Sequence, residues 1–161
     1  MDAVLAAGIL LCLILPISGF VTEKYIMLLT LQEISDAVDM ACMSAYQALN
    51  PGAASDSRIL VEPEKFESGF RYYLALNLKL TDDMMPEPGA IVTGQVHIRE
   101  LTIYTGPFPE QCSRGTSLSG PTVHAVITAG AHDGILRPLL AGNGETRQVT
   151  VHRDVDLLID D

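Results

Sequence analysis

The chain has 161 residues and a formal net charge of −10, with 48% hydrophobic and 19% charged residues, and its mean hydropathy is +0.26. That length suits one compact domain plus one extra element, and the composition is too apolar for a disordered chain. An acidic balance without any Lys/Arg cluster excludes a nucleic-acid-binding surface and argues against adhesion to anionic lipid headgroups.

The apolar excess is concentrated at the start. Residues 3–22 carry no charged side chain, and about 20 such residues at about 1.5 Å each cross about 30 Å of hydrocarbon. A cleavable secretory signal needs a basic n-region, and only Met1 and Asp2 precede the run. The segment therefore reads as a transmembrane anchor. Helical periodicity then continues: Leu31, Ile34, Val38, Ala41 or Cys42, Ala45 and Leu49 recur every three or four residues, with Glu23, Lys24, Glu33, Asp36 and Asp39 mainly on the other faces. Asn50-Pro51-Gly52 ends the pattern. The spacing predicts one helix over residues 2–49, roughly 70 Å long, kinked at Pro16, with Gly19 easing the bend. Two helices hinged near Thr22 are the alternative. The resulting division is an apolar helix (1–22), its amphipathic continuation (23–50) and a β-rich head (51–161).

Within the head, the polar, proline-punctuated stretch 51–68 reads as a loop. Leu74, Leu76, Leu78 and Leu80 alternate with Ala75, Asn77 and Lys79, the period of a strand with one buried face. A turn-rich connection over 82–89 leads to a strand over 91–104. There Val96 and Ile98 share one parity and Leu101 and Ile103 the other, which predicts a bulge near Arg99-Glu100. Residues 106–121, rich in Gly, Pro and Ser, read as a long exposed loop. Residues 122–128 form a strand with Val123, Ala125 and Ile127 inward, residues 132–142 a short helix or apolar turn, and residues 147–159 a last strand with Val149, Val151, Val155, Leu157 and Ile159 on one parity. The predicted fold is α+β: a long kinked N-terminal helix, apolar then amphipathic, packed on a small, mainly antiparallel sheet of three to four strands. The amphipathic half covers the apolar face of the sheet.

The sequence has no Gly-rich phosphate loop, no GxSxG elbow and no HExxH. No catalytic residue, metal site or cofactor is expected, and the protein does not read as an enzyme. His97, His124 and His152 alternate with apolar residues on strands, pointing outward or across to a neighbouring strand; a cross-strand histidine cluster is the one arrangement that would hold metal. His132-Asp133-Gly134 reads as a turn. Asp82, Asp83 and Glu87, and the acidic C-terminal residues Asp154, Asp156, Asp160 and Asp161, are either solvated loop ends or oxygen ligands for calcium. Met84-Met85 reads as an apolar contact patch on the head. Cys12 is a packing residue in the apolar run, and Cys42 and Cys112 are the pair open to bridging in an oxidising compartment. Asp2, at the outer edge of the span, is either solvated at the headgroup level or paired with a positive group on another copy, most simply its N-terminal amine.

The uninterrupted apolar helix over 3–22, its continuation over 23–49 closed by Asn50-Pro51-Gly52, and the apolar strands over 122–128 and 149–159 together resemble the type IV pilin-like proteins. The layout is most similar to the TadE-type pilins and pseudopilins of tight-adherence systems. The likeness spans nearly the whole chain and is one of architecture. Such pilins usually carry glutamate at the fifth mature position, where this chain has Leu5; Asp2 is the available substitute. They also carry a basic leader ending in glycine, and its lack here fits Met1 as the first residue after processing. The resemblance implies a structural subunit, held in a membrane with an extracytoplasmic head and then assembled into a helical homopolymer on the cell surface. Its partners would be copies of itself and the pilus assembly machinery. Assembly contacts would fall at Met1, Asp2, Leu5, Ala6, Ala7, Gly8, Pro16 and Gly19, the small residues allowing close backbone approach. The competing reading is a monomeric, single-pass membrane-anchored accessory or binding module of a secretion or conjugation machine.

Overall fold

The computed structural model describes residues 2–49, 62–131 and 147–157, with side chains from Gly8 onward. The expectations for residues 51–61 and 132–142, including His132, and for Ile159, Asp160 and Asp161, lie outside the described residues.

The first helix, α1 (Asp2–Leu49), is one continuous helix that runs through Pro16 and past Thr22. Its 48 residues span about 72 Å. Thr22 donates its hydroxyl to the Ser18 carbonyl at 2.9 Å, and Thr30 to Ile26 at 3.0 Å. These bonds satisfy polar side chains inside the helix itself.

A second helix, α2 (Pro63–Leu78), replaces both the loop expected up to residue 68 and the strand expected over Leu74–Leu80. Its buried residues are Phe66, Phe70, Leu74 and Leu78, one every four residues, whereas Leu76, which the alternating pattern placed inside, is 63% exposed. The period-two reading failed because Leu74 and Leu78 satisfy both periods, and only the phenylalanines upstream separate them. Pro63 at the first turn fits a helix start. Lys79 closes the helix in the left-handed region (φ 55°), and the Leu80 amide donates to the Ala75 carbonyl at 2.8 Å. At the α1–α2 crossing, a Cβ built on Gly69 would lie 3.4 Å from the Ala45 Cβ, so two small residues set the close approach.

The three long strands β1 (His97–Tyr104), β4 (Thr122–Ala131) and β5 (Arg147–Asp156) form an antiparallel sheet in the order β1-β4-β5. Between them, β2 (Glu110–Gln111) and β3 (Ser117–Leu118) pair as a small ribbon inside the stretch expected to be a plain loop. The expected bulge is present: the β1–β4 register shifts between Ile98 and Glu100. Its effect is to bring Ile98, Leu101 and Ile103 onto the same side of the sheet, packed against the core.

One face of the sheet carries Val123, Ala125, Ile127 and Ala129 of β4 with Val149, Val151 and Val155 of β5. They pack against Ile34, Val38, Ala41, Cys42 and Ala45 of α1 and the buried stripe of α2. Met84 is also in this core, at 3% exposure, so only Met85 of the expected Met84-Met85 surface patch is accessible. Arg153 lies on the helix-facing side of β5 and clamps Asp39 of α1 with Nε and Nη2; the Nε to Oδ1 bond is 2.7 Å. The opposite parity of β4 and β5 is mainly polar (Thr122, His124, Thr128, His152, Asp154) with Val126 among them, and this face holds the side-chain cluster described next.

Candidate functional site

Two features stand apart from ordinary packing. The first is the N-terminal part of α1. From Ile9 to Leu29 its large apolar side chains are exposed on all sides, Leu10 at 59%, Leu15 at 65% and Leu28 at 63% among them. The stretch 8–29 is about 33 Å long, and its bare surface continues past Thr22. It is long and apolar enough to cross a membrane. Glu23 and Lys24 are the only charged residues along it, and the Lys24 ammonium lies 5.6 Å from the Phe20 ring centroid. Gly8, Pro16 and Gly19 are on this bare stretch. A Cβ at Gly8 would meet no atom within 4 Å, so the packing of the single chain makes no demand for glycine there. Asp2, Leu5, Ala6 and Ala7 belong to the same helix, and Met1 is outside the described residues.

The second feature is a polar cluster on the outer face of the sheet. His124 sits in the middle of β4, fully buried. Strand register places Asp154 directly opposite it, and His152, opposite Val126, diagonally adjacent on the same face. His124 Nδ1 is 2.7 Å from Asp154 Oδ1 and 3.2 Å from His152 Nε2, and His152 Nε2 is 3.2 Å from Asp154 Oδ2. The β2–β3 segment folds over this group and adds Cys112, whose sulfur is 3.7 Å from Asp154 Oδ2. Cys112 is held by a tight turn in which its amide donates to the Thr116 carbonyl and the Gly115 amide donates back to Cys112.

On the far side of the His124 ring, Nε2 faces Ser113 Oγ at 3.0 Å and Glu100 Oε2 at 3.2 Å. The Ser113 hydroxyl donates to Glu100 Oε2 at 2.6 Å. With that proton committed to the carboxylate, Nε2 is surrounded by acceptors and must itself carry hydrogen. Hydrogen bonds from Ser113 and His124 hold the Glu100 carboxyl below its ordinary value. Burial pushes Asp154 up, but the His124 hydrogen bond, the neighbouring imidazoles and a hydrogen bond from Thr116 outweigh it, so its carboxyl also stays below the ordinary range.

Ser113, His124 and Asp154 are linked in the order of a nucleophile, base and orienting carboxylate. Glu100 spoils that role. It takes the serine proton that His124 would have to accept, and it holds a negative charge 2.6 Å from the hydroxyl that would have to act as nucleophile. The grouping is better described as a four-donor cluster backed by a carboxylate.

Cys42 and Cys112 are both free thiols, so the bridge that the sequence left open is not formed in this structure. Cys42 packs in the helix-facing core, whereas Cys112 touches Asp154 on the opposite face of β5, so the sheet lies between them. Burial foremost, then the Asp39 charge, pushes the Cys42 thiol up to about 12, against a smaller opposing pull from Arg153. Sequence reasoning placed His124 and His152 on strands, and the structure joins them; His97 is exposed and separate. The readable signal was His152-x-Asp154, two ligand-type residues on one strand face. Glu100, Cys112 and Ser113 gave no such signal, since their approach depends on the bulge and on the fold of the 106–121 segment.

Comparison with known proteins returns no match to any family model, curated protein or solved structure.

Proposed function

We propose that this chain is a structural subunit of a type IV/Tad-like filament, waiting in a membrane through the exposed half of α1 and assembling by packing of those helices. The observation that carries this reading is the bare apolar surface over residues 8–29, on the same rigid helix whose other half is sunk into the head. In lipid such a helix satisfies its own backbone hydrogen bonds. In a filament the same surface exchanges lipid for sister helices, with Gly8 permitting close approach. A helix-interior glycine costs about 1 kcal/mol relative to alanine, so a glycine with no intrachain reason supports a contact between chains. In this reading Asp2 would pair with a neighbour's N-terminal amine. The acidic head, with net charge concentrated outside the apolar run, suits the outer coat of such a polymer.

Electron microscopy of sheared surface material from cells making the chain tests the reading. A regular fibre containing this chain is the expected outcome. Gly8→Leu and Asp2→Ala should abolish the fibre while the amount of protein in the membrane fraction stays unchanged. Abundant membrane-held protein with no fibre under any growth condition would favour a monomeric anchored module.

A further inference from the structure

We propose that Cys112, His124, His152 and Asp154 form a structural zinc site that fastens the β2–β3 segment to the outer face of the sheet. Each residue offers one ligand atom, and the four atoms lie within 4.8 Å of one another. Tetrahedral zinc with bonds of about 2.0–2.3 Å sets its ligand atoms about 3.3–3.8 Å apart. Of the contacts within the cluster, the Cys112–Asp154 distance of 3.7 Å lies in that range, and those of 2.7, 3.2 and 3.2 Å are shorter by about 0.1–0.6 Å, so the ligands would move slightly apart to admit the ion. A thiol, two imidazoles and one carboxylate make a zinc set; calcium would require six or more oxygens.

The hydrogen-bond pattern points the same way. Since His124 carries hydrogen on Nε2 toward Ser113 and Glu100, its neutral form turns a bare lone pair on Nδ1 toward Asp154 and His152. Lone pairs converging on one point are satisfied by a positive charge between them, either a proton or a metal ion, and the soft sulfur of Cys112 at the same point favours the metal. Glu100 behind the imidazole is the arrangement in which a carboxylate orients a metal-bound histidine and raises its basicity. Binding would displace the Cys112 thiol proton, leaving a thiolate on the metal.

A four-ligand site of this kind has a mechanical purpose. In the segment between β1 and β4, the two buried hydrophobic residues are Cys112 and Leu118, so hydrophobic burial holds it weakly. A metal shared between that segment and strands β4 and β5 would supply the missing restraint. This inference does not rest on the filament reading: a head on a monomeric anchor would hold the metal equally well.

The test uses the full chain in detergent, stripped with a chelator and kept under a phosphine reductant. Zn2+ is titrated against a chromophoric chelator, and Co2+ is added as a spectroscopic probe. One ion should bind per chain, and the cobalt form should show a tetrahedral visible spectrum with a thiolate-to-cobalt charge-transfer band. Cys112→Ser should remove that band and weaken zinc binding by at least about tenfold, and Glu100→Gln, which touches no metal, should weaken it by about 10–100-fold. His152→Gln, at a half-buried position, provides a ligand variant with little risk to folding, and Cys12→Ser should leave binding and spectrum unchanged. A folded wild-type chain that takes up no stoichiometric zinc or cobalt would overturn the proposal and leave a purely proton-linked network. So would a cobalt complex lacking the thiolate band, or unaltered affinity in both Cys112→Ser and Glu100→Gln.

Discussion

Between residues 8 and 29, α1 turns isoleucines and leucines outward on every side, whereas from Ile34 to Tyr46 it buries a single stripe, with small residues between those two larger ones, against α2 and the sheet. Both stretches are helical and both are apolar, yet they differ in how the apolar side chains are arranged and sized. Large residues all round make a surface that wants lipid or other helices. Alanines, a valine and a cysteine on one face, with Glu33, Asp36 and Asp39 nearby, make a seat for a second helix. Helix propensity is common to both, and packing pattern alone assigns one half to the head and leaves the other bare.

This contrast can be broken or sharpened by measurement, and the two α1 cysteines offer the largest effect. Cys42 in the docked half should resist alkylation at pH 8 by a factor on the order of 10³ relative to the unfolded chain, because labelling awaits opening of the head. Its folded-state value of about 12 exceeds the ordinary 9.0. The contribution to stability is therefore complete below pH 9.0 and lost as pH rises toward about 12, a slope that Cys42→Ala should flatten in alkaline denaturation. Cys12 in the bare half is exposed; in a bilayer it should react with an apolar maleimide and escape a charged one.

Core truncation comes next. Phe70→Ala removes a fully buried ring facing the docked half and should destabilise the head by about 3–5 kcal/mol in denaturant unfolding followed by circular dichroism. Arg153→Ala removes the two-point clamp on Asp39, which is partly exposed, and should cost about 1 kcal/mol by the same assay. Leu13→Ala, on the bare half, should change head stability by less than about 0.5 kcal/mol. A large loss of head stability from Leu13→Ala would mean that the exposed stretch folds back onto the head.

Much of this architecture was legible in the sequence. The single long helix, the bulge at Ile98–Glu100 and the inward residues of β4 and β5 follow from local sequence pattern. The second helix was missed because Leu74 and Leu78 fit both a two-residue and a four-residue repeat, and the decisive Phe66 and Phe70 sat in a stretch whose prolines and charges suggested a loop. The cluster was half legible. His124, His152 and Asp154 could be assigned to strands, but their meeting depends on which strands pair and in which register. Cys112 reaches them only through a fold of the intervening segment that no short-range pattern encodes. The bare half of α1 was the easiest feature to read, since absence of charge over a long run needs no tertiary context.

The adjacent residues Arg153 and Asp154 send opposite charges to opposite sides of β5, one to Asp39 on α1 and the other to the imidazoles. A slip of one position along β4 would turn β5 over, setting Asp154 against Asp39 and moving the guanidinium away from its carboxylate partner to the face of His124. The correct alignment is thereby guarded against a one-residue slip by repulsion between two carboxylates, a form of error-proofing that valines alone, being interchangeable along the strand, would not provide.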